Sequence, residues 1–277
     1  VTASKLPSGL SGRSAVEVAR EAARLACEII EPRFRAIDKG SPVDRVAKGR
    51  GNFVTETDLA AEKAVIELLR AEYPEHQILS EETSDVVEGW DAGFTWVIDP
   101  LDGTGNFARG IPTFAFNLAL CHDGEPVLGL TTHPITGDEF FAERGGGLWV
   151  NGGAASVSKA ATMADCLLGI GLGYDYDRAG KLLTLLHDLW PGVVTIQNIG
   201  TAALGLAYAA SGRFDLYVHQ YLLPWDMAAG ILFVREAGGE IITRDGDPVT
   251  IYSEGVIAGP SGPVREFLEF SAGRPWR

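Results

Sequence analysis

The acidic residues that leave the chain's apolar runs are the first candidates for chemistry. The run "WVIDPLDGTGNF" (residues 96–107) ends in Asp99 and Asp102, three positions apart. Carboxylates that close repel each other, and burial raises the cost of keeping both charged. The apolar "FTWVI" ahead of them argues for burial, so something cationic belongs between them. Glu81 and Glu82 in "SEET" follow another strand-like run, and Asp58 and Asp226 each open a helix-like run. Strand ends and helix starts are where ligand sites gather in layered folds. Singly, Asp58 and Asp226 read as helix-capping acids, worth about 0.5–2 kcal/mol each, and Glu81 and Glu82 as solvated surface acids. The Asp99/Asp102 pair is harder to reduce to a surface role.

The cation is constrained by donor type. An EF-hand counted from Asp99 requires a glutamate at its twelfth position, where this chain has Gly110. "DGTGN" lacks the lysine of a P-loop, and no His or Cys stands nearby to hold zinc. Oxygen-only donors suit a hard cation, magnesium by default. Asp99 could bridge two ions, with Glu81 completing one and Asp102 and Asp226 the other. Such a site clamps a phosphoryl group and activates water. Gly103 lets the backbone approach a phosphate at what reads as a helix start, and the Thr104 hydroxyl can orient the attacking water.

Elements must bring these residues together. Residues 13–37 alternate as an amphipathic helix, with Val16, Ala19, Ala23, Ala26 and Ile30 on one face. "DKGSPVDRVAKGRGN" breaks that periodicity as a loop or ribbon, and "TETDLAAEKAVIELLRAEYP" is a second helix. Five short strands follow: "QILS", "FTWVID", "TFAFNLALC", "PVLGLTTH" and "DEFFAER". "HDGEP" is a hairpin turn, and "RGGGLWVNGG" a glycine-rich turn that marks a seam between an N-terminal half (1–150) and a C-terminal half (151–277) packed as one unit. The second half alternates strands ("CLLGIGL", "VVTIQNI", "RFDLYVH") with helices (about 178–189, "TAALGLAYAASG", "WDMAAGILFVREAGG") and closes with a strand, a turn and a helix. The class is α+β, with sheets sandwiched between helix layers.

Composition excludes some functions. At 277 residues the chain can bury a large core. A net charge of −14 argues against a nucleic acid polymer as partner. No apolar run reaches membrane-span length, "VTASKLPSGLSG" has no signal-peptide core, and Cys27, Cys121 and Cys166 lie apart in apolar contexts as reduced thiols. The expectation is a cytoplasmic protein.

The motifs resemble the inositol monophosphatase family of magnesium-dependent, lithium-sensitive phosphomonoesterases. The matching runs are "FVTETD", "SEET", "WVIDPLDGTGNF", "RGGGLWVNG", "GTAALGLAYAASGRFD" and "PWDMAAG", in the family's order and over most of the chain beyond the first helix. The resemblance implies a layered αβαβα sandwich of the inositol monophosphatase/fructose-1,6-bisphosphatase type, a homodimer, and two or three Mg2+ per site. It implies Glu81, Asp99, the Leu101 carbonyl, Asp102 and Asp226 as metal ligands. Gly103 and Thr104 match phosphate-contacting positions, and Asp58 matches the acid that pairs with Thr104 to polarise the attacking water. Gly200, Thr201 and Ala202 match a stretch lining the substrate pocket.

One departure bears on substrate. Inositol-hydrolysing members carry a glutamate seven residues before the "WD" aspartate, where this chain has His219. A histidine cannot reproduce a carboxylate acceptor, and a lost partner in a hydrogen-bonding pocket costs orders of magnitude in discrimination. Relatives with these motifs act on inositol monophosphates, fructose 1,6-bisphosphate, histidinol phosphate or 3′-phosphoadenosine 5′-phosphate. Lys48 and Arg50 could meet a second phosphate or remain surface charges, and Tyr174, Asp175 and Tyr176 are further candidate contacts. Rival readings are a catalytically silent metal- and phosphate-binding regulatory module and a two-carboxylate glycosidase. The glycosidase accounts for two acids but not for four, nor for the Gly-Thr turn.

Overall fold

The computed structural model describes residues 6–43, 45–84, 89–90 and 92–276. Its elements form five layers. The outer layer is α1 (Ala15–Asp38) and α2 (Glu56–Glu72), linked by a two-stranded antiparallel ribbon of β1 (Arg45–Gly49) and β2 (Asn52–Thr55). Beneath the helices lies a seven-stranded sheet: β3 (Gln77–Ser80), β4 (Phe94–Asp102), β5 (Ala115–His122), β6 (Glu125–Thr132), β7 (Glu139–Glu143), β8 (Leu148–Val150) and β9 (Gly153–Ala155), in that spatial order. A single turn, α3 (Thr104–Phe107), follows β4.

The second sheet runs β11-β10-β12-β14-β13, from β10 (Leu167–Gly171), β11 (Thr195–Asn198), β12 (Leu216–His219), β13 (Glu240–Thr243) and β14 (Val256–Gly259). Between the sheets lie α5 (Ala202–Ala210) and α6 (Pro224–Glu236), and α4 (Tyr176–Leu189) and α7 (Ser261–Ser271) close the far side. The expected layered αβαβα sandwich is what the chain adopts.

Strand alternation explains the layering. In β4, Trp96 and Ile98 face the α1/α2 core while Val97 faces α5 and α6. In β12, Leu216 and Val218 join the α4/α7 core and Tyr217 the central one. The period of two assigns alternate residues to separate cores. α5 and α6 are buried nearly all round, as helices between two sheets must be.

Two sequence expectations need correcting. "RGGGLWVNGG" is more than a turn, because it carries β8 and leads into β9, so the first sheet continues to Ala155. The helix start at Gly103-Thr104 is one four-residue turn, too short to act as a helix N-terminus. "DKGSPVDRVAKGRGN", open between loop and ribbon, supplies β1 of the ribbon. The three cysteines are free, with Cys121 and Cys166 buried. Among the described residues no helix is long and apolar enough to cross a membrane.

Candidate active site

Asp99 and Asp102 converge because of a β-bulge. In a regular strand, residues three apart point to opposite faces. Against β5 the register runs Asp99↔Asn117 and then Asp102↔Ala115, so β4 holds one residue more than its partner. The bulge shifts the alternation and returns Asp102 to the Asp99 side. Asp226 meets them from the first turn of α6, and oxygens of the three carboxylates lie within 4.8 Å of one another.

Three helices direct their first turns here. Thr201 caps α5, and its hydroxyl donates to Asp102, which also accepts the Ala203 N–H at 2.8 Å. In α6, Asp226 accepts the Leu223 N–H at 2.7 Å. In α2, Asp58 divides its oxygens: one accepts the N–H (3.0 Å) and hydroxyl of Thr55, and the other accepts the Thr104 hydroxyl at 2.9 Å. Asp58 is therefore both a cap and a site residue. The partial positive charge of helix N-termini favours acids at these positions.

That compensation is incomplete. Burial, followed by the charges of Glu81, Asp102 and Asp226, holds the Asp99 carboxyl well above the usual carboxylate range. Burial and the neighbouring acids likewise raise Asp226. Asp102 is pushed up to about 6 by burial, against the opposing pull of Thr201 and the α5 amides. Asp58 is raised to about 6 by burial, against its hydroxyl donors. Buried acids clustered in this way are what a divalent cation relieves, and carboxylate and carbonyl oxygens are hard donors suited to Mg2+. The donor set fits the metal.

A cavity of about 220 Å³ opens beside the cluster. Glu81, Asp102, Gly103, Gly200, Thr201, Ala202, His219 and Asp226 line it, as do Asn52, Tyr174, Asn198 and Tyr221. Gly103 sits at φ +91°, and a Cβ there would stand 3.2 Å from the Thr113 carbonyl and 3.3 Å from that of Gly200. Glycine thus lets two loops meet at the cavity floor. The Thr104 hydroxyl also reaches the Leu101 carbonyl at 3.0 Å, which places that oxygen beside the Asp58–Thr104 pair.

His219 is buried at the cavity wall, in space left by Gly171, whose Cβ would fall 1.9 Å from the imidazole Cδ2. Its Nδ1 accepts the Tyr221 N–H at 3.2 Å, and burial lowers its pKa to about 3. The ring is neutral, with its proton on Nε2, and presents a donor rather than a carboxylate's acceptor.

Other sequence candidates take different places. Glu82 turns from the cavity to Lys48, whose Nζ lies 2.5 Å from Glu82 and 3.0 Å from Glu81. Burial and the Glu81 charge raise the Glu82 carboxyl to about 7, with Lys48 opposing. Of the tyrosine-rich stretch, only Tyr174 lines the cavity. Asp175 caps α4 by accepting the Asp177 and Arg178 N–H groups, and Tyr176 contacts Arg50.

Sequence reasoning missed Asn117. Paired opposite Asp99, it donates to the Trp225 carbonyl at 2.6 Å and accepts from Thr131 at 2.6 Å, tying the start of α6 to β5. The available signal was an asparagine inside the apolar run "AFNLAL". Asn106 was also missed, and it donates to the carbonyls of Thr113 and Ile199, joining the two loops behind Gly103.

Known proteins share this arrangement of chain and fold. A relative from Caulobacter vibrioides named inositol-1-monophosphatase is 37% identical over 261 residues, covering 92% of this chain and 98% of its own. One from Pseudomonas aeruginosa named Nus factor SuhB is 36% identical over 248 residues, covering 88% of this chain and 90% of its own. The crystal structure of the extragenic suppressor protein suhB from Bartonella henselae superposes with a TM-score of 0.86 at 33% identity, covering 93% of this chain and 98% of that one. The sequence model that describes the inositol monophosphatase family matches residues 13–269, and the chain belongs to that family.

Proposed function

We propose that the protein hydrolyses a small phosphate monoester in a Mg2+-dependent reaction. The observation that carries this reading is the meeting of Asp99, Asp102 and Asp226 within 4.8 Å, beside a cavity and next to the Asp58–Thr104 pair. Glu81, Asp99, Asp102, Asp226 and the Leu101 carbonyl are the groups that would hold the ions. Held by these groups, magnesium would supply positive charge to neutralise the ester and the charge developing on the leaving oxygen.

The chain's own groups handle water and orientation. Asp58 fixes the Thr104 hydroxyl, which then presents a lone pair toward the attacking water and favours proton departure through the Thr104–Asp58 pair. Gly103 and the Thr104 backbone meet the phosphoryl group, and Gly200, Thr201 and Ala202 shape the opposite wall. His219 offers Nε2–H to an acceptor on the leaving group.

The cavity also bears on substrate class. Among the described residues its lining includes no Lys or Arg, which favours one phosphate on an uncharged, sugar- or polyol-sized leaving group over a bisphosphate. At about 220 Å³ it falls below the roughly 300–1,000 Å³ of drug-sized sites. The test is phosphate release from myo-inositol 1-phosphate, fructose 1,6-bisphosphate, histidinol phosphate and 3′-phosphoadenosine 5′-phosphate, with Mg2+ or with EDTA. Release from a monophosphate with Mg2+ and none with EDTA is expected. No release from any ester would refute the reading. His219→Glu, assayed alongside, is expected to gain activity on inositol 1-phosphate.

A further inference from the structure

The β1–β2 ribbon is an exposed element that nevertheless delivers side chains to the site. Every residue of β1 is exposed, and two strands alone are marginally stable in water. The ribbon carries Asn52 into the cavity lining and Lys48 to Glu81 and Glu82. Lys48 is the bulge residue: the register runs Ala47↔Phe53 and then Gly49↔Asn52, leaving it without a cross-strand partner. A bulge re-aims a side chain, but it weakens the pairing that would hold the ribbon straight.

The ribbon's base is held by Thr55, which caps α2, and by Arg109, whose guanidinium lies 5.5 Å from the Phe53 ring centre. Its tip is held from the other half of the chain. Tyr176, the first residue of α4, donates its hydroxyl to the Arg50 carbonyl at 2.8 Å. The Arg50 guanidinium lies over the Tyr176 ring at 4.4 Å. Between them, Gly51 turns at φ +80°, and a Cβ there would stand 2.9 Å from the Tyr176 hydroxyl. A hydrogen bond, a cation–π contact and a glycine that clears the phenol thus meet at one point. Tyr174 and Asn52, each two residues from this contact, both line the cavity, so the contact joins two segments that lead into its wall.

We propose that Tyr176 is a positioning residue that latches the ribbon turn to the start of α4 and so holds Asn52 and Lys48 against the site. The latch itself stands on geometry, and its kinetic consequence rests on the phosphatase reading above. Tyr176→Phe keeps the ring and removes the hydrogen bond, while Tyr176→Ala removes both contacts. Tyr176 is half exposed, so neither change opens the core.

Hydrogen exchange of the 45–55 amides, with the buried β4 amides as internal control, reads the latch directly. Exchange in the ribbon is expected to rise about tenfold in Tyr176→Ala and about threefold in Tyr176→Phe, with β4 unchanged. With glycerol 2-phosphate and Mg2+, KM is expected to rise about fivefold in Tyr176→Ala and kcat to change by less than about twofold, because the loss is of wall and orientation rather than of reacting groups. Tyr176→Phe should recover most of that KM. Unchanged ribbon exchange in Tyr176→Ala overturns the proposal, as does faster exchange with an unchanged KM. If the wild type releases no phosphate, the phosphatase reading falls, and the exchange difference alone decides whether the latch exists.

Discussion

Two groups of acids lie at or behind the cavity wall, and they are compensated in different ways. Glu81 and Glu82 share a cation from the chain itself, Lys48, carried on an exposed ribbon. Asp99, Asp102 and Asp226 lie deeper, where hydroxyls and helix amides meet them but no lysine or arginine forms an ion pair among the described residues. The fold supplies a counter-ion to Glu82 and also to Glu81, which is itself one of the groups proposed above to hold the ions. Where it leaves charge uncompensated, it leaves room for a cation from solution. Buried acids without a partner are costly in the absence of ligand, which is the usual signature of a site rather than of a scaffold.

That contrast can be broken by experiment. Asp99→Asn removes the central carboxylate but keeps its shape, and phosphate release with Mg2+ should fall by at least about a hundredfold while circular dichroism stays native. Near-normal turnover would place the essential acids elsewhere. Thr104→Ala should cost about a hundredfold in kcat, and Thr104→Ser, which keeps the hydroxyl beside Asp58, should stay within about tenfold of wild type. Equal losses in the two variants would mean that the hydroxyl does not act through Asp58.

Stability measurements sharpen the comparison. Asp58 and Asp102 are raised to about 6, and Asp99 and Asp226 are raised as well. A carboxyl raised in the fold binds its proton more readily there than in the unfolded chain, so its contribution is present at low pH and lost as pH rises through the folded value. Protein stripped of metal should therefore gain several degrees in Tm between pH 8 and pH 6, and Mg2+ at pH 8 should restore that gain. A flat profile, or no response to Mg2+, would show the acids to be compensated already. The smallest effect is expected from Lys48→Met, which leaves Glu82 without its cation. With Glu82 raised to about 7, Tm should drop by a few degrees at pH 8 and by less at pH 6, where Glu82 is protonated. An equal drop at both pH values would mean that lost packing, not lost charge, is responsible.

The chemistry was legible wherever a side chain's role depends on its neighbours in sequence. "WVIDPLD" announces two acids leaving a buried strand, and "PWDMAAG" announces an acid in a first helical turn; both stand there in the fold. Asp58 was legible as a cap or as a site residue, but not as both, because the second role depends on Thr104, forty-six residues away. Asn117 and Asn106 gave almost no local signal, since each acts by joining segments remote in the chain. Tyr176 reads from the sequence as a candidate substrate contact, whereas in the fold it meets Arg50, 126 positions earlier.

The amino-acid order by itself determined the layered class, the period of two that sorts side chains into separate cores, and the supply of hard oxygen donors at element ends. These follow from local sterics and from burial of apolar faces. Only the tertiary structure decided that Asp99 and Asp102 share a face, since that needs an extra residue in β4 relative to β5, and register is a property of the pair. It also decided which acids receive a cation from the chain and which do not, because charge compensation depends on distances between segments that local sequence does not encode.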